Sequence, residues 1–306
     1  MMTSISKKYR RSWAFRYGVL ATFFVAAPFG AAAQDNRQIP GYQGDADSRA
    51  DNVTGKPWSF IIGAGFGIGP LTDGSGDTEL IPLPLFNVTY RDFFYIDALD
   101  GIGISPVSTE TTFVSIDANF ATSRSADDDR NSFLNDGDFE RFAGLGDVDG
   151  DVAIEVYASH LFFDVVEASI SATREFGDVD GWQVAAGLAS GVEIGSGLFV
   201  GVEASTTWSS GNYSRAFFGV TQAQADDRLA VAAINPAVEP YGVFNAGAGL
   251  TDVSVGVGAF KAFGQNDRFF ATLEAGYSFA LGDLRDSPIT ERTITPGGSF
   301  SLGWRF

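Results

Sequence analysis

Gly297–Phe306 reads GGSFSLGWRF, and Phe300, Leu302, Trp304 and Phe306 alternate there with Ser299, Ser301, Gly303 and Arg305. Successive side chains of a strand point to opposite faces, so this period of two means one apolar face and one polar face. A strand of this kind ending on an aromatic residue has the form of the signal that hands outer-membrane barrels to the barrel assembly machinery. The stretch therefore predicts a transmembrane antiparallel β-barrel in a Gram-negative outer membrane. Phe300, Leu302, Trp304 and Phe306 are the expected assembly signal.

The other end of the chain points the same way. Lys7, Lys8, Arg10, Arg11 and Arg16 precede a short apolar run from Gly18 to Phe29, and Ala31-Ala32-Ala33 offers a cleavage site. Residues 1–33 have the layout of a secretory signal peptide whose apolar part is too short to span a bilayer. Residues 34–56 are polar and read as a flexible periplasmic leader. Residues 57–306 are the expected barrel.

Composition narrows the function. The chain has no cysteine, 37 glycines, 28 phenylalanines and a net charge of −18. That charge excludes a nucleic-acid partner and predicts repulsion from lipopolysaccharide unless divalent cations bridge the two. A closed barrel satisfies its backbone around the ring and has no need of disulfides.

From Pro57 onward the period-two pattern recurs about ten residues at a time. Trp58, Phe60, Ile62, Ala64, Phe66 and Ile68 form one apolar face. Leu198 to Trp208 and Phe269 to Phe279 repeat the pattern. Strand starts are expected near Trp58, Ile81, Phe93, Ile102, Thr111, Asp151, Val165, Trp182, Leu198, Thr251, Arg268 and Gly298, which makes about 12 strands. If Phe93–Ser108 is one long strand, the count falls to 10. If the first strand rises from the periplasm, short turns at Arg91-Asp92, Asp164, Gly195–Gly197 and Gly264–Asp267 share the periplasmic side, and the connections Ser125–Gly150, Ser210–Leu250 and Gly282–Gly297 face outward.

Glu155, Glu167, Glu193, Glu203 and Glu274 fall mid-strand on the polar side and are expected to face the lumen, as is Arg305. Two readings stay open at this point. Carboxylates around a wet lumen would favour cations, or they pair with Arg305 and other bases and fill the lumen as a polar core.

Six stretches, taken in order, resemble the MipA/OmpV family of outer-membrane barrels. They are Phe66–Pro70, Ile81–Asp92, Gly144–Gly150, Ala216–Ala225, Ala246–Val253 and Gly282–Ile289. The resemblance implies an outer-membrane barrel with no catalytic motif. It also implies a role as a scaffold between a murein hydrolase and a murein synthase, or as a porin-like channel or a surface adhesin. Asp226–Pro240 departs from the family pattern, which leaves the role of the loop 210–250 open.

The residues themselves offer little catalysis. His160 is the single histidine, and alternation with Val156 and Ala158 turns it outward near the periplasmic rim beside Phe162. Asp164 lies close enough in sequence to reach it, but a triad also needs a serine and oxyanion donors on the same face. Asp147, Asp149 and Asp151 alternate as in half of a calcium loop. They are weak candidates for a divalent cation, set against a plain solvated rim. Gly63-Ala-Gly65-Phe-Gly67 lacks the strand–turn–helix setting of a dinucleotide site. The expectation is no enzyme and no cofactor, with outer-membrane lipids, lipopolysaccharide, the assembly machinery and murein enzymes as partners.

Overall fold

A computed structural model describes residues 57–306 apart from 71–73, 110, 122, 125–138, 196 and 265–266. The expected signal peptide and leader lie outside the described residues. The chain forms a closed barrel of twelve strands. They are β1 (Trp58–Pro70), β2 (Thr78–Tyr90), β3 (Phe94–Asp97), β4 (Gly101–Ser108), β5 (Thr112–Phe120), β6 (Gly150–Phe162), β7 (Val166–Gly177), β8 (Trp182–Ile194), β9 (Leu198–Ser209), β10 (Gly249–Phe263), β11 (Phe269–Ala280) and β12 (Ile294–Arg305). Among the described residues, four short helices stand in the long connections: α1 (Phe139–Phe142), α2 (Gly211–Phe218), α3 (Gln222–Ala232) and α4 (Gly282–Asp286).

Each strand pairs antiparallel with its sequence neighbours, and β12 returns to β1 in a register running from Ile61↔Arg305 to Ile68↔Gly298. The closure leaves no free edge along that seam, as a spanning sheet in hydrocarbon requires. Alternation decides the two faces. Trp58, Phe60, Ile62, Phe66 and Ile68 are exposed on the outside of β1, as are Leu302, Trp304 and Phe306 at the end of the chain. Apolar side chains that would be a liability in water face lipid here.

At the end with the short turns the outer aromatics touch in a row. Phe263 lies 5.9 Å from Phe269, Phe269 5.7 Å from Trp304, and Trp304 4.4 Å from Phe306. The terminal aromatics thus continue a girdle that crosses three strands. Two turns at this end, Arg91-Asp92 and Phe163-Asp164, have positive φ at both residues. That backbone matches the right-handed twist of a tight hairpin.

The segment 93–108 is two strands and not one. Asp97 Oδ1 accepts from Leu99 N at 2.8 Å and from Asp100 N at 3.2 Å. These bonds fold the chain back after only four residues of β3.

Candidate functional site

Two polar regions stand out, the barrel interior and the outer connections. The interior is packed. Ile61, Leu83, Leu85, Leu99, Phe199, Phe260 and Phe270 come together from β1, β2, the β3–β4 turn, β9, β10 and β11. The rings of Phe260 and Phe270 stack at 5.9 Å. Phe270 is 1% exposed. Its ring overlies Gly303, where any side chain would overlap it.

Carboxylates fill much of the remaining interior, and hydroxyls and an amide donate to four of them. Thr173 Oγ1 donates to Glu155 Oε2 at 2.5 Å, and Ser299 Oγ to Glu274 Oε2 at 2.9 Å. Tyr95 Oη donates to Asp117 Oδ2 at 3.1 Å, and Asn87 Nδ2 to Asp97 Oδ2 at 3.0 Å. Glu155 and Glu274 are 1% and 5% exposed, and Glu167 is buried as well. Glu203 is half-buried and lies over Gly256, where a methyl group would overlap its Oε1. Arg305 is half-buried on the inner face of β12. Glu193 lies elsewhere: it is exposed at the short-turn end and accepts from Gly197 N at 3.0 Å.

The outer connections fold into a cap. Ser210 starts α2 by accepting from Tyr213 N. Thr221 starts α3 with a reciprocal capping box to Gln224, which satisfies two end donors at once. Phe142, Leu145, Val220, Ala225 and Ile289 form one apolar cluster. Val148, Val179, Tyr213, Phe218, Ala246 and Leu284 form another. Both draw residues from several loops.

Arginines clasp the cap. Arg228 is 1% exposed. Its guanidinium donates to the carbonyls of Glu239 (2.6 Å), Arg141 (2.9 Å), Ala143 (2.9 Å) and Glu140 (2.8 Å). It also lies 3.5 Å from the centre of the Tyr241 ring. Arg141 Nε donates to Ile289 O at 2.8 Å, and Arg124 reaches Phe217 O at 3.2 Å. Burial lowers the Arg228 pKa. Burial, with Arg141 nearby, lowers that of Arg124 to about 10. Burial raises the Tyr241 phenol. Such arrays hold backbone in place; the guanidinium fork suits carbonyl clusters as it suits carboxylates. None of these arginines is visible as a site in the sequence. The one local signal is Thr221-Gln-Ala-Gln224, an N-terminal capping pattern ahead of an alanine-rich run.

His160 is exposed on the outer face of β6. Its Nδ1 lies 2.8 Å from Thr112 Oγ1, and its ring packs edge-on against Phe162 at 4.6 Å. Ser159 is buried on the opposite face. The group these contacts place beside the imidazole is the Thr112 hydroxyl, on the outer face of the wall. Among the described residues no three His, Cys, Asp or Glu side chains gather to hold a metal. Asp149 N donates to Asp178 Oδ2 at 3.3 Å, and the Asp151 side chain lies outside the described residues.

A family model described as MltA-interacting protein MipA matches residues 62–306. No curated protein matches the chain. Among solved structures, the chain is similar to a KdgM porin at 5% identity and TM-score 0.36, covering 80% of this chain and 99% of that one. It is also similar to a bacterial polysaccharide outer-membrane secretin (8%, TM-score 0.39, 81% and 98% covered). The outer-membrane channel DcaP of Acinetobacter baumannii gives 11% identity, TM-score 0.34, and 81% and 96% covered. These values carry nothing about activity.

Proposed function

This chain belongs to the MipA family of outer-membrane barrels, and from that premise we propose that it is a structural protein that holds peptidoglycan-remodelling enzymes at the outer membrane. One observation carries the reading: the inner face of the barrel is packed. Around the ring, Asn87, Glu155, Asp252, Phe270, Thr272 and Ser301 are all buried. An aqueous pore leaves its lining accessible to water. The family's printed name describes a protein that interacts with another protein, MltA, which suits a scaffold.

The contact would lie at the periplasmic end, on the short turns and on residues 34–56. Phe163 marks it. This side chain is 93% exposed at the tip of the β6–β7 turn and sits at φ 55°. A bulky residue at positive φ is unfavourable, and a bare aromatic ring at a turn tip adds nothing to folding. Both costs are consistent with a contact residue. The same reading makes Phe300, Leu302, Trp304 and Phe306 the assembly signal. It gives lipopolysaccharide and the assembly machinery as partners of the barrel itself.

Two measurements test this. Purified protein in planar bilayers should show no steady conductance. Immobilised protein should retain a lytic transglycosylase and a peptidoglycan synthase, and Phe163→Asn should weaken that retention several-fold. Steady cation-selective conductance without retention would replace the scaffold with the channel reading.

A further inference from the structure

The turn between β3 and β4 stands inside the height of the wall. β2 runs from Thr78 to Tyr90, but β3 pairs with it only from Asn87 to Tyr90 before the chain reverses. Ala98 N donates to Phe86 O at 2.8 Å, which sets the turn within the span of β2. Its tip residue, Leu99, is 8% exposed and belongs to the buried apolar cluster of the lumen. Leu83 and Leu85 on β2 and Ala189 on β8 belong to the same cluster, and β2 and β8 are diametrically opposite in the ring of twelve. The apolar layer therefore spans the lumen from wall to wall.

This layer lies toward the short turns. Phe199 and Phe270 are the second residues of β9 and β11, and Phe260 stands near the end of β10. Glycines seat two of the rings: a methyl group at Gly191 would overlap Phe199, and one at Gly303 would overlap Phe270. Farther from the short turns, the same inner faces of β9 and β11 carry Glu203 and Glu274. Polar groups brace the turn that brings Leu99 in. Asp97 Oδ1 accepts from the backbone N–H of Leu99 and of Asp100. Asn87 Nδ2 donates to Asp97 Oδ2, and Thr89 Oγ1 donates to Asn87 Oδ1 at 2.8 Å. Asn87, Thr89 and Asp97 are all buried, and a buried hydrogen-bond chain of this kind rigidifies what it holds.

We propose that the β3–β4 turn is a stopper: Leu99 completes an apolar septum that bars water and small cations from passing along the lumen. Water withdraws from a narrow apolar constriction, and an ion that enters one loses hydration it cannot replace there. Without the septum, the carboxylates beyond it would favour the entry of cations. The in-turned tip thus keeps a carboxylate-lined barrel ion-tight from within its own wall. Stopper and scaffold role are independent, because a variant that admits water can still retain its partners.

The chain has no cysteine, so a single introduced thiol reports access to the lumen. Ser278 faces inward beyond the septum and is 2% exposed, whereas Ser59 faces inward near the short turns and is half-buried. In folded protein in micelles, Ser59→Cys should react readily with a cationic methanethiosulfonate reagent, and Ser278→Cys should react slowly. Adding Leu99→Ser should speed labelling at 278 by about ten-fold or more. Adding Leu99→Met instead, which keeps the apolar volume, should leave it slow. Heat-modifiable migration checks that each variant is folded, and Phe270→Ala is the opening variant if Leu99→Ser does not fold. Labelling at 278 as fast as at 59 in the absence of an opening variant overturns the proposal. So does labelling at 278 that neither opening variant speeds, and so does equal speeding by Leu99→Ser and Leu99→Met.

Discussion

The barrel interior and the outer cap solve the same problem, buried charge, with opposite chemistry. In the interior most of the charged groups are carboxylates, with Arg305 on the same face, and facing strands offer the carboxylates hydroxyl and amide donors, such as Thr173 for Glu155 and Ser299 for Glu274. In the cap the charged groups are arginines, and their partners are backbone carbonyls from distant loops. The difference follows from what each region must hold in place. Strands already fix their own backbone, so side chains only need to fill space and satisfy one another. Loops leave carbonyls unpaired, and a guanidinium can gather several at once.

The largest expected effect lies in the cap. Arg228→Ala strips the donors from four carbonyls, two of them in buried bonds, at a cost of about 3 kcal/mol. Limited proteolysis should then cleave the 210–248 connection while the barrel keeps its heat-modifiable migration. Loss of the barrel as well would show that the two regions are one cooperative unit. In the interior, Phe270→Ala removes a ring from the apolar cluster and should lower stability to urea in micelles by about 3 kcal/mol. An unchanged midpoint would mean that the interior is looser than the burial of Phe270 implies.

How legible this was in the sequence depends on the region. Strand positions were legible because lipid on one side and a packed interior on the other enforce alternation. The expected starts at Trp58, Trp182 and Leu198 coincide with those of β1, β8 and β9. The apolar interior was harder to see. Phe199, Phe260 and Phe270 sit beside outward aromatic or aliphatic residues, so local hydrophobicity masks their inward direction. For the glutamates the sequence left open a wet lumen or pairing with bases, and the serine and threonine donors to Glu155 and Glu274 carry no distinctive spacing. The helices and arginine clasp of the cap depend on contacts between residues about 85 apart in sequence, which no local period records. The break after β3 was expected from the strand starts near Phe93 and Ile102, although the Asp97 side chain that turns the chain there carries no turn signature of its own.

Smaller changes sharpen the contrast. Ser299→Ala deletes one neutral donor from a carboxylate inside the barrel and should cost about 1–3 kcal/mol in the same urea assay. A larger loss would bring the interior bonds closer to the clasp in weight. The smallest stability effect is expected at Phe163→Asn. Asn tolerates positive φ better than Phe, so the midpoint should stay level or rise by a few tenths of a kcal/mol. A marked loss would show that the exposed ring supports the fold.

The order of the strands also bears on how the ring is completed. Eleven of the twelve pairings join segments adjacent along the chain, and only β1 with β12 joins its extremes. Bringing Ile61 to Arg305 closes a loop whose entropic cost is about 5 kcal/mol, against a fraction of that for each hairpin. That pairing is then expected to form last, as in a zipper whose final tooth bears the whole cost of closure. Its eight registered pairs should also show the earliest amide exchange when the barrel is strained. Part of the bond that holds it is Phe306 N to Phe60 O at 3.0 Å, so the terminal aromatic residue latches the ring as well as facing lipid.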